Sequence, residues 1–324
     1  MFNPSFIPII VASTTGGLLL GRKALLDPQM DAVFKSYLSS CTYGPNTPFR
    51  GLICILEPFF KDLVTNELGK GFLTAFGTTG SVMSLHLYLR AGQHGRSAFL
   101  SPILFTLNTL AGQVMGAGFT SPVVIPTLLA LAKTFEPANA KRPAPPPYAY
   151  IVTTLFMHFC VFAISMSLTG IPVTDPKWVY ANYIFQLFPL IFLPLSFLPT
   201  KPKTDAQTET PTLSASAFRV LKFLHFCSWW GTAIGFVATL RAGTAPFTAP
   251  VRFMALDFAG FVISFVGGYL IDLVAGDVPA GFGPGPLALR ALATGPASTL
   301  AAYFEARERE NIKFAADAGL KKGE

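Results

Sequence analysis

The chain has 324 residues, of which 51% are hydrophobic and only 13% are charged, and its mean hydropathy is +0.50. Soluble domains carry about 25% charged residues, so this composition excludes an ordinary soluble protein and predicts one embedded in the lipid bilayer. The net charge is +7, but the basic residues are scattered through polar segments and form no stripe. We therefore expect contact with anionic lipids and no nucleic-acid partner.

The first apolar run, residues 6–21, is followed by Arg22 and Lys23. A cleaved signal peptide carries its positive charge before the apolar run, so this order predicts a retained first membrane span. The polar segment that comes next, residues 22–50, is typical of a solvated or interfacial connector.

Residues 51–63 form an apolar stretch that is too short to cross a bilayer, which takes about 20 residues. Glu57 precedes Pro58 in this stretch, and a residue before proline is disfavoured in the α conformation. We expect a break at Glu57, or a helix that starts at Pro58. Broken helices at membrane depth line cavities, which makes Glu57 a candidate acid. An interfacial ion pair with Lys61 is the alternative.

Residues 71–89 predict a span, and residues 97–133 form an almost unbroken apolar run. One helix of that length would measure about 55 Å, against a hydrocarbon core of about 30 Å. The segment 116–122, GAGFTSP, is the expected break, whether it kinks one helix or separates two. Asn108 and Gln113 lie in this run, either as amides that bond neighbouring helices or as groups that contact a substrate.

The second half of the chain predicts further spans at 148–168, 178–198, 218–240, Ala249–Val274 and 287–304. The sequence thus predicts an all-α membrane protein, a bundle of about eight transmembrane helices of which one or more are broken or kinked. This single domain covers residues 1–304, with polar loops near 22–50, 134–147, 200–216 and 275–286, and a polar tail follows at 305–324.

Asp257 lies inside the apolar segment Ala249–Val274, in the sequence FMALDFAGF. A helical period places Phe253 and Phe261 on the face that Asp257 occupies. An ionised Asp at membrane depth costs roughly 2.5–3.5 kcal/mol on insertion scales, so such a residue faces a protein interior or a cavity. Asp257 is therefore the first candidate for a catalytic acid, and a structural ion pair with Arg252 is the alternative.

Several motifs that would indicate other chemistry are missing from the sequence. It holds no DDxxD or DxDD cluster, no GxGxxG, no P-loop and no GxSxG. Its four histidines and four cysteines lack metal-ligand spacing, so we expect no metal and no other cofactor. The cysteines are expected to be small buried apolar side chains.

Five stretches of the chain resemble the fungal integral-membrane terpene cyclases of the ascofuranone and ascochlorin type. They are CILEPFF, YLRAGQHGRSAFLSP, LAGQVMGAGFTSPVV, RFMALDFAG and ATGPASTLAAYFEARERE. The resemblance implies cyclisation of a prenyl chain, commonly a terminal epoxide on a farnesyl-bearing aromatic, inside the membrane and without metal or organic cofactor. It also implies an intramembrane Asp at the position of Asp257. Glu57 and the turn YLRAGQHG depart from the family pattern, so Glu57 as an acid rests on the residues alone.

We accordingly expect an enzyme of secondary metabolism, located in the endoplasmic reticulum, that cyclises an epoxidised farnesyl-type or meroterpenoid chain. Asp257 would protonate the epoxide or olefin, and Glu57 would assist or accept the terminating proton. The aromatic faces of Phe253, Phe261 and Trp229 would stabilise the carbocation by cation–π attraction.

Two other interpretations are open. A small-molecule transporter or membrane scaffold would bind or move its ligand without forming a product. An intramembrane prenyltransferase would need paired aspartates to hold magnesium diphosphate, and Asp27 with Asp31 and Asp272 with Asp277 faintly fit that pattern. A magnesium requirement would separate the prenyltransferase from the cyclase.

Overall fold

The computed structural model describes residues 3–93, 97–135, 146–199 and 210–320, which are helical with short connections. The predicted loops at 134–147 and 200–216 lie largely outside these ranges. The α-helices are α1 Ile7–Leu25, α2 Pro28–Ser39, α3 Arg50–Thr65, α4 Glu67–Ala91, α5 Pro102–Met115, α6 Ala117–Phe135, α7 Tyr148–Gly170, α8 Pro176–Leu187, α9 Thr210–Ala242, α10 Ala249–Val274, α11 Pro284–Thr294 and α12 Pro296–Leu320. A 3-10 turn, Pro4–Phe6, precedes α1, and a 3-10 segment, Phe188–Phe197, continues α8.

The chain is an all-α, multi-pass membrane protein. Within the described ranges, six segments are long and apolar enough to cross a bilayer: Pro4–Leu25, Ala117–Phe135, Tyr148–Gly170, Pro176–Phe197, Thr212–Ala242 and Ala249–Val274. Phe223 and Ile234 on α9 are 65% and 66% exposed, which suits contact with lipid and not with water. By length and hydropathy the described ranges hold six spans, fewer than the expected total of about eight.

Helix α10 has the bounds that the sequence predicts, and α1, α4 and α6 pack against it. Glycines bring the backbones of α6 and α10 together. A Cβ added to Gly118 would lie 1.6 Å from the Asp257 carbonyl oxygen, and one added to Gly260 would lie 1.9 Å from the Gly118 carbonyl oxygen. Because no side chain fits in these gaps, the two helices cross in direct backbone contact.

Glycines in the left-handed region separate two pairs of consecutive helices. Gly116, with φ of 96°, stands between α5 and α6, so the predicted break at 116–122 is confirmed and produces two helices. Gly295, with φ of 83°, stands between α11 and α12. The prediction of one span over 287–304 is therefore wrong, and α12 continues to Leu320 through most of the segment expected to be a tail.

The predicted break at Glu57 is wrong, because α3 runs from Arg50 to Thr65 with Pro58 inside it. The phenylalanines that follow this proline explain the continuity. Phe59 packs edge-on against Phe253 with ring centroids 5.4 Å apart. Phe60 packs edge-on against Phe185 at the same centroid distance. Burial of two aromatic side chains outweighs the local cost of the proline.

The expectation of four cysteines that act as small apolar side chains is also wrong. Cys41, in the connector after α2, forms a disulfide with Cys54 on α3. Spacing could not reveal this pair, because 13 positions separate the two residues and no CxxC motif marks them.

Candidate functional site

A partly open cavity lies among α4, α5, α6, α7 and the 3-10 segment, and its volume is about 140 Å³. Its wall is mostly apolar and rich in aromatic rings. The rings include those of Phe76, Phe105, Phe162, Phe188, Phe192 and Phe261. A concave apolar site with a few polar atoms is the usual form of a small-molecule binding site.

Three of the residues proposed from the sequence line this cavity, namely Asn108, Gln113 and Phe261. The amide nitrogen of Asn108 donates to Ser121 Oγ over 3.4 Å, which joins α5 to α6. Asn108 Oδ1 is buried and has no hydrogen-bond partner among the described residues. A buried polar atom left in this state costs about 1–3 kcal/mol, which makes it a natural contact for a ligand.

His158 on α7 also lines the cavity, and the sequence analysis did not select it. The residue is 6% exposed, and its Nε2 has no hydrogen-bond partner in the described part of the chain. The search for histidines rested on metal-ligand spacing, which His158 lacks. A usable signal was present, because Thr154 and Ser165 lie on the same helical face as His158, four residues before it and seven residues after it.

Asp257 is buried at the crossing of α6 and α10, 5% exposed. Its Oδ1 accepts a hydrogen bond from the Gly118 amide over 2.7 Å, in the first turn of α6. Oδ2 has no hydrogen-bond partner within the described ranges. The alternative pairing with Arg252 is wrong, because that guanidinium contacts Asp27 at 3.0 Å and Gln29 at 2.5 Å.

The Asp257 carboxyl does not line the cavity, but its immediate neighbours do. Ala117 precedes the amide that binds Asp257, Phe261 follows Asp257 by one helical turn, and both belong to the cavity wall. The carboxyl is therefore connected to the wall through the first turn of α6 and through the next turn of α10.

Phe253 and Trp229 lie away from the cavity. The ring of Phe253 packs between those of Phe59 and Phe119, with centroids 5.4 Å and 5.5 Å away. Trp229 lines a separate small cleft together with His225 and other residues of α4, α9 and α12.

Glu57 is also separated from the cavity, since no described residue of α3 lines it. Its Oε2 accepts hydrogen bonds from the hydroxyls of Tyr43 at 2.5 Å and Tyr183 at 3.1 Å, and Lys61 is not a partner. Burial, followed by the hydrogen bond to Glu57, raises the pKa of Tyr43. These contacts tie the connector after α2 to α3 and α8.

The two aspartate pairs considered for magnesium lie at opposite ends of α10. Asp27 contacts Arg252, and Asp272 contacts Arg307 and, at 3.0 Å, Tyr303. Because 20 helical positions separate Arg252 from Asp272, the pairs are about 30 Å apart and cannot hold one diphosphate. No cluster of three or more His, Cys, Asp or Glu side chains suited to a metal exists in the described part of the chain.

A network of charged side chains surrounds α12 at the end of the bundle near Asp272. The sequence analysis did not predict this network. Glu305 contacts Lys222 and Arg309 at 2.7 Å and Arg219 at 3.0 Å. Burial alone would raise the pKa of Glu305, but the hydrogen bonds from Lys222 and Arg219 lower it below the usual range. The network was missed because this segment was expected to be a solvated tail.

Comparison of the chain with protein-family models, with curated proteins and with solved structures finds no match.

Proposed function

We propose that the protein is a membrane-embedded enzyme that cyclises a prenyl or terpenoid chain after protonating it. The observation that carries the proposal is an aromatic cavity whose wall residues Ala117 and Phe261 are close neighbours, along α6 and α10, of a hydrogen-bonded, otherwise unpaired carboxyl. The proposed substrate is an epoxidised farnesyl-type or meroterpenoid chain, and no metal takes part. The resemblance of the sequence to fungal membrane terpene cyclases points to the same chemistry.

Asp257 is the proposed proton donor. In a neutral carboxyl the carbonyl oxygen accepts hydrogen bonds, so the Gly118 amide holds Oδ1 as the carbonyl and leaves Oδ2 to carry the proton. Burial favours the neutral form of a carboxyl in general. After donation, the amide and the positive end of the α6 dipole stabilise the negative charge left on Asp257.

The rest of the reaction follows from this proton transfer. Protonation opens the epoxide carbon–oxygen bond and leaves a tertiary carbocation, which the electron pair of a neighbouring double bond then attacks. Return of a proton from the final cation to the Asp257 carboxylate ends the sequence and regenerates the acid, so the product is an isomer of the substrate. Phe261 and Phe76, whose centroids are 5.4 Å apart, present rings that attract the cation, and the apolar wall excludes water.

The proposal assigns no role to Phe253 or Trp229, because a ring attracts a cation only at short range and neither ring lines the cavity. It assigns no step to Glu57, whose Oε2 already accepts hydrogen bonds from two tyrosine hydroxyls. It places the enzyme in the endoplasmic reticulum and counts α4 as a span beside the six apolar segments, while the total of about eight stays a prediction. Helix α4 is about 37 Å long and packs against α3, α7, α9, α10 and α12. Its serines and threonines are thus covered by protein and need not face lipid.

A transporter or scaffold is the second candidate, because the same cavity could hold a cargo without changing it. The separation of the aspartate pairs along α10 argues against a prenyltransferase.

The test incubates membranes that contain the protein with a prenylated-phenol epoxide and analyses the products. We expect a cyclised isomer that membranes without the protein do not form, and its formation should survive EDTA. Saturable binding or flux of unchanged substrate would instead identify a transporter. Activity lost in EDTA and restored by magnesium would support the prenyltransferase.

A further inference from the structure

Two polar atoms in the cavity wall have no partner in the described part of the protein. Asn108 Oδ1 lies on α5 and His158 Nε2 on α7, and both atoms are buried. Each one lost contact with water when the bundle formed, and neither bonds another described group in exchange. A ligand whose hydrogen-bonding group reaches one of these atoms would restore that bond.

The charge of the wall limits what this ligand can be. No Lys, Arg, Asp or Glu is found among the described residues that line the cavity. A diphosphate needs cations or a metal to neutralise it, and at membrane depth an unpaired charge is costly. The lining is therefore matched to an uncharged molecule.

We propose that His158 and Asn108 are the specificity-determining residues of this cavity and select an uncharged, hydroxyl-bearing chain over a hydrocarbon and over a prenyl diphosphate. The inference rests on the proposed function only for the prenyl nature of the chain. A hydroxyl both donates and accepts, so it pairs with a carboxamide in either orientation and with either tautomer of the imidazole. The epoxide oxygen of the proposed substrate, like any ether oxygen, only accepts and could not pair with Asn108 Oδ1, so the selected hydroxyl is a second group on the chain.

Equilibrium binding to the purified full chain in lipid nanodiscs tests the inference. The probes are farnesol, farnesene and farnesyl diphosphate, which share a chain and differ in the end group. We expect saturable binding of farnesol, weaker binding of farnesene and no saturable binding of farnesyl diphosphate. His158→Phe and Asn108→Leu should each weaken farnesol binding by about 5- to 10-fold and leave farnesene binding unchanged or tighter.

Two further variants separate selection from structure. His225→Phe is the matched control, because His225 is 2% exposed and its Nε2 also lacks a described partner, but it lines the other, small cleft. Farnesol affinity should not change in His225→Phe. His158→Gln restores a hydrogen-bonding group and should recover most of the affinity. Thermal unfolding should show the apolar variants to be at least as stable as the parent, since they remove an unpaired buried atom.

Unchanged farnesol affinity in His158→Phe and Asn108→Leu would overturn the inference, and so would farnesyl diphosphate binding as tight as that of farnesol. No saturable binding of farnesol would overturn it as well. The inference can stand while the proposed function fails, if farnesol binding depends on His158 but no chain is ever cyclised. If a chain is cyclised but His158→Phe binds farnesol as tightly as the parent, the proposed function stands and the inference about His158 fails.

Discussion

Asp257 combines two roles that its position makes hard to separate. Its Oδ1 satisfies an amide in the first turn of α6, as an N-terminal cap would, although it comes from another helix. The same hydrogen bond orients the carboxyl for proton donation. A cap requires an acceptor oxygen, whereas a donor requires an acidic proton, so the two roles respond differently to substitution.

We predict that Asp257→Asn abolishes most of the cyclisation and leaves the fold intact. The carboxamide oxygen of Asn can accept the same bond from Gly118, but Asn has no acidic proton. Turnover should fall by about 10²–10⁴, the usual contribution of a general acid, while the unfolding temperature stays near that of the parent. Product formation and thermal unfolding in detergent measure the two effects.

Asp257→Ala is the control, because it removes the acceptor as well. We expect this variant to lose about 1 kcal/mol of stability or more, in addition to its activity. A stable Asp257→Asn protein with turnover near the parent rate would show that Asp257 serves only as a helix cap and is not the proton donor.

Single residues were predicted as far as local sequence carries information. The cost of an ionised Asp at membrane depth placed Asp257 in the interior, because that argument needs only the apolar run around the residue. The partners were not predictable, since Arg252 meets Asp27 across 225 positions and Glu57 meets Tyr183 across 126. Contacts at such separations come from packing, which one sequence does not display.

The crossing of α6 and α10 is the element on which the site depends. It brings the amide of Gly118 to Asp257, and it sets the first turn of α6 as part of the cavity wall. The crossing exists because Gly118 and Gly260 have no side chains. Close backbone approach through small residues is a common way for membrane helices to associate.

We predict that Gly260→Ala destabilises the protein by about 3 kcal/mol or more, because its Cβ would meet a backbone oxygen that cannot move alone. Gly235→Ala on α9 is the matched control, since a Cβ there meets nothing within 4 Å. The control should be neutral or gain up to about 1 kcal/mol from helix propensity. Thermal unfolding of both variants in detergent decides the matter, and equal stabilities would contradict the described crossing.

Helices and their breaks were predicted correctly where the local sequence signal was strong. The bounds of α10 followed from a continuous apolar run, and the break at Gly116 followed from glycines within an overlong run. The prediction of a break at Pro58 failed, because burial of the neighbouring phenylalanines outweighed the helix-breaking effect of the proline. The break at Gly295 was missed because a short apolar segment on either side looks like one continuous helix.

The whole bundle is held at one end by buried charges and not by apolar packing alone. The Asp272 and Arg307 side chains are 7% and 14% exposed, and each compensates the buried charge of the other. Such a pair adds little over an apolar pair, but removal of one partner leaves an uncompensated charge.

We predict that Arg307→Met destabilises the protein by about 3–5 kcal/mol, because Asp272 loses the guanidinium that contacts it. The double variant Arg307→Met with Asp272→Leu should recover most of that loss. Unfolding temperatures of the parent, the single and the double variant provide the measurement. A double variant no more stable than the single one would show that the ion pair is not the cause.

The general architecture could be predicted because composition and apolar runs report directly on the membrane. The number of spans could not be settled in this way, because α4 is surrounded by other helices and needs no apolar surface of its own. The cavity was beyond prediction as well, since residues from α4 to α7 meet there only after folding.

The Cys41–Cys54 disulfide lies at one end of the bundle and distinguishes it from the other end. Disulfides form and persist in oxidising compartments and are rare where glutathione keeps thiols reduced. The bridge joins the connector after α2 to α3, and both helices pack beside the first turns of α10. Since α10 runs from that end to the Arg307 network, the disulfide and the network lie at opposite ends of the bundle. Helix α1 is antiparallel to α10, with Ser13 beside Gly267 and Gly16 beside Ile263, so α1 begins at the end that holds the network.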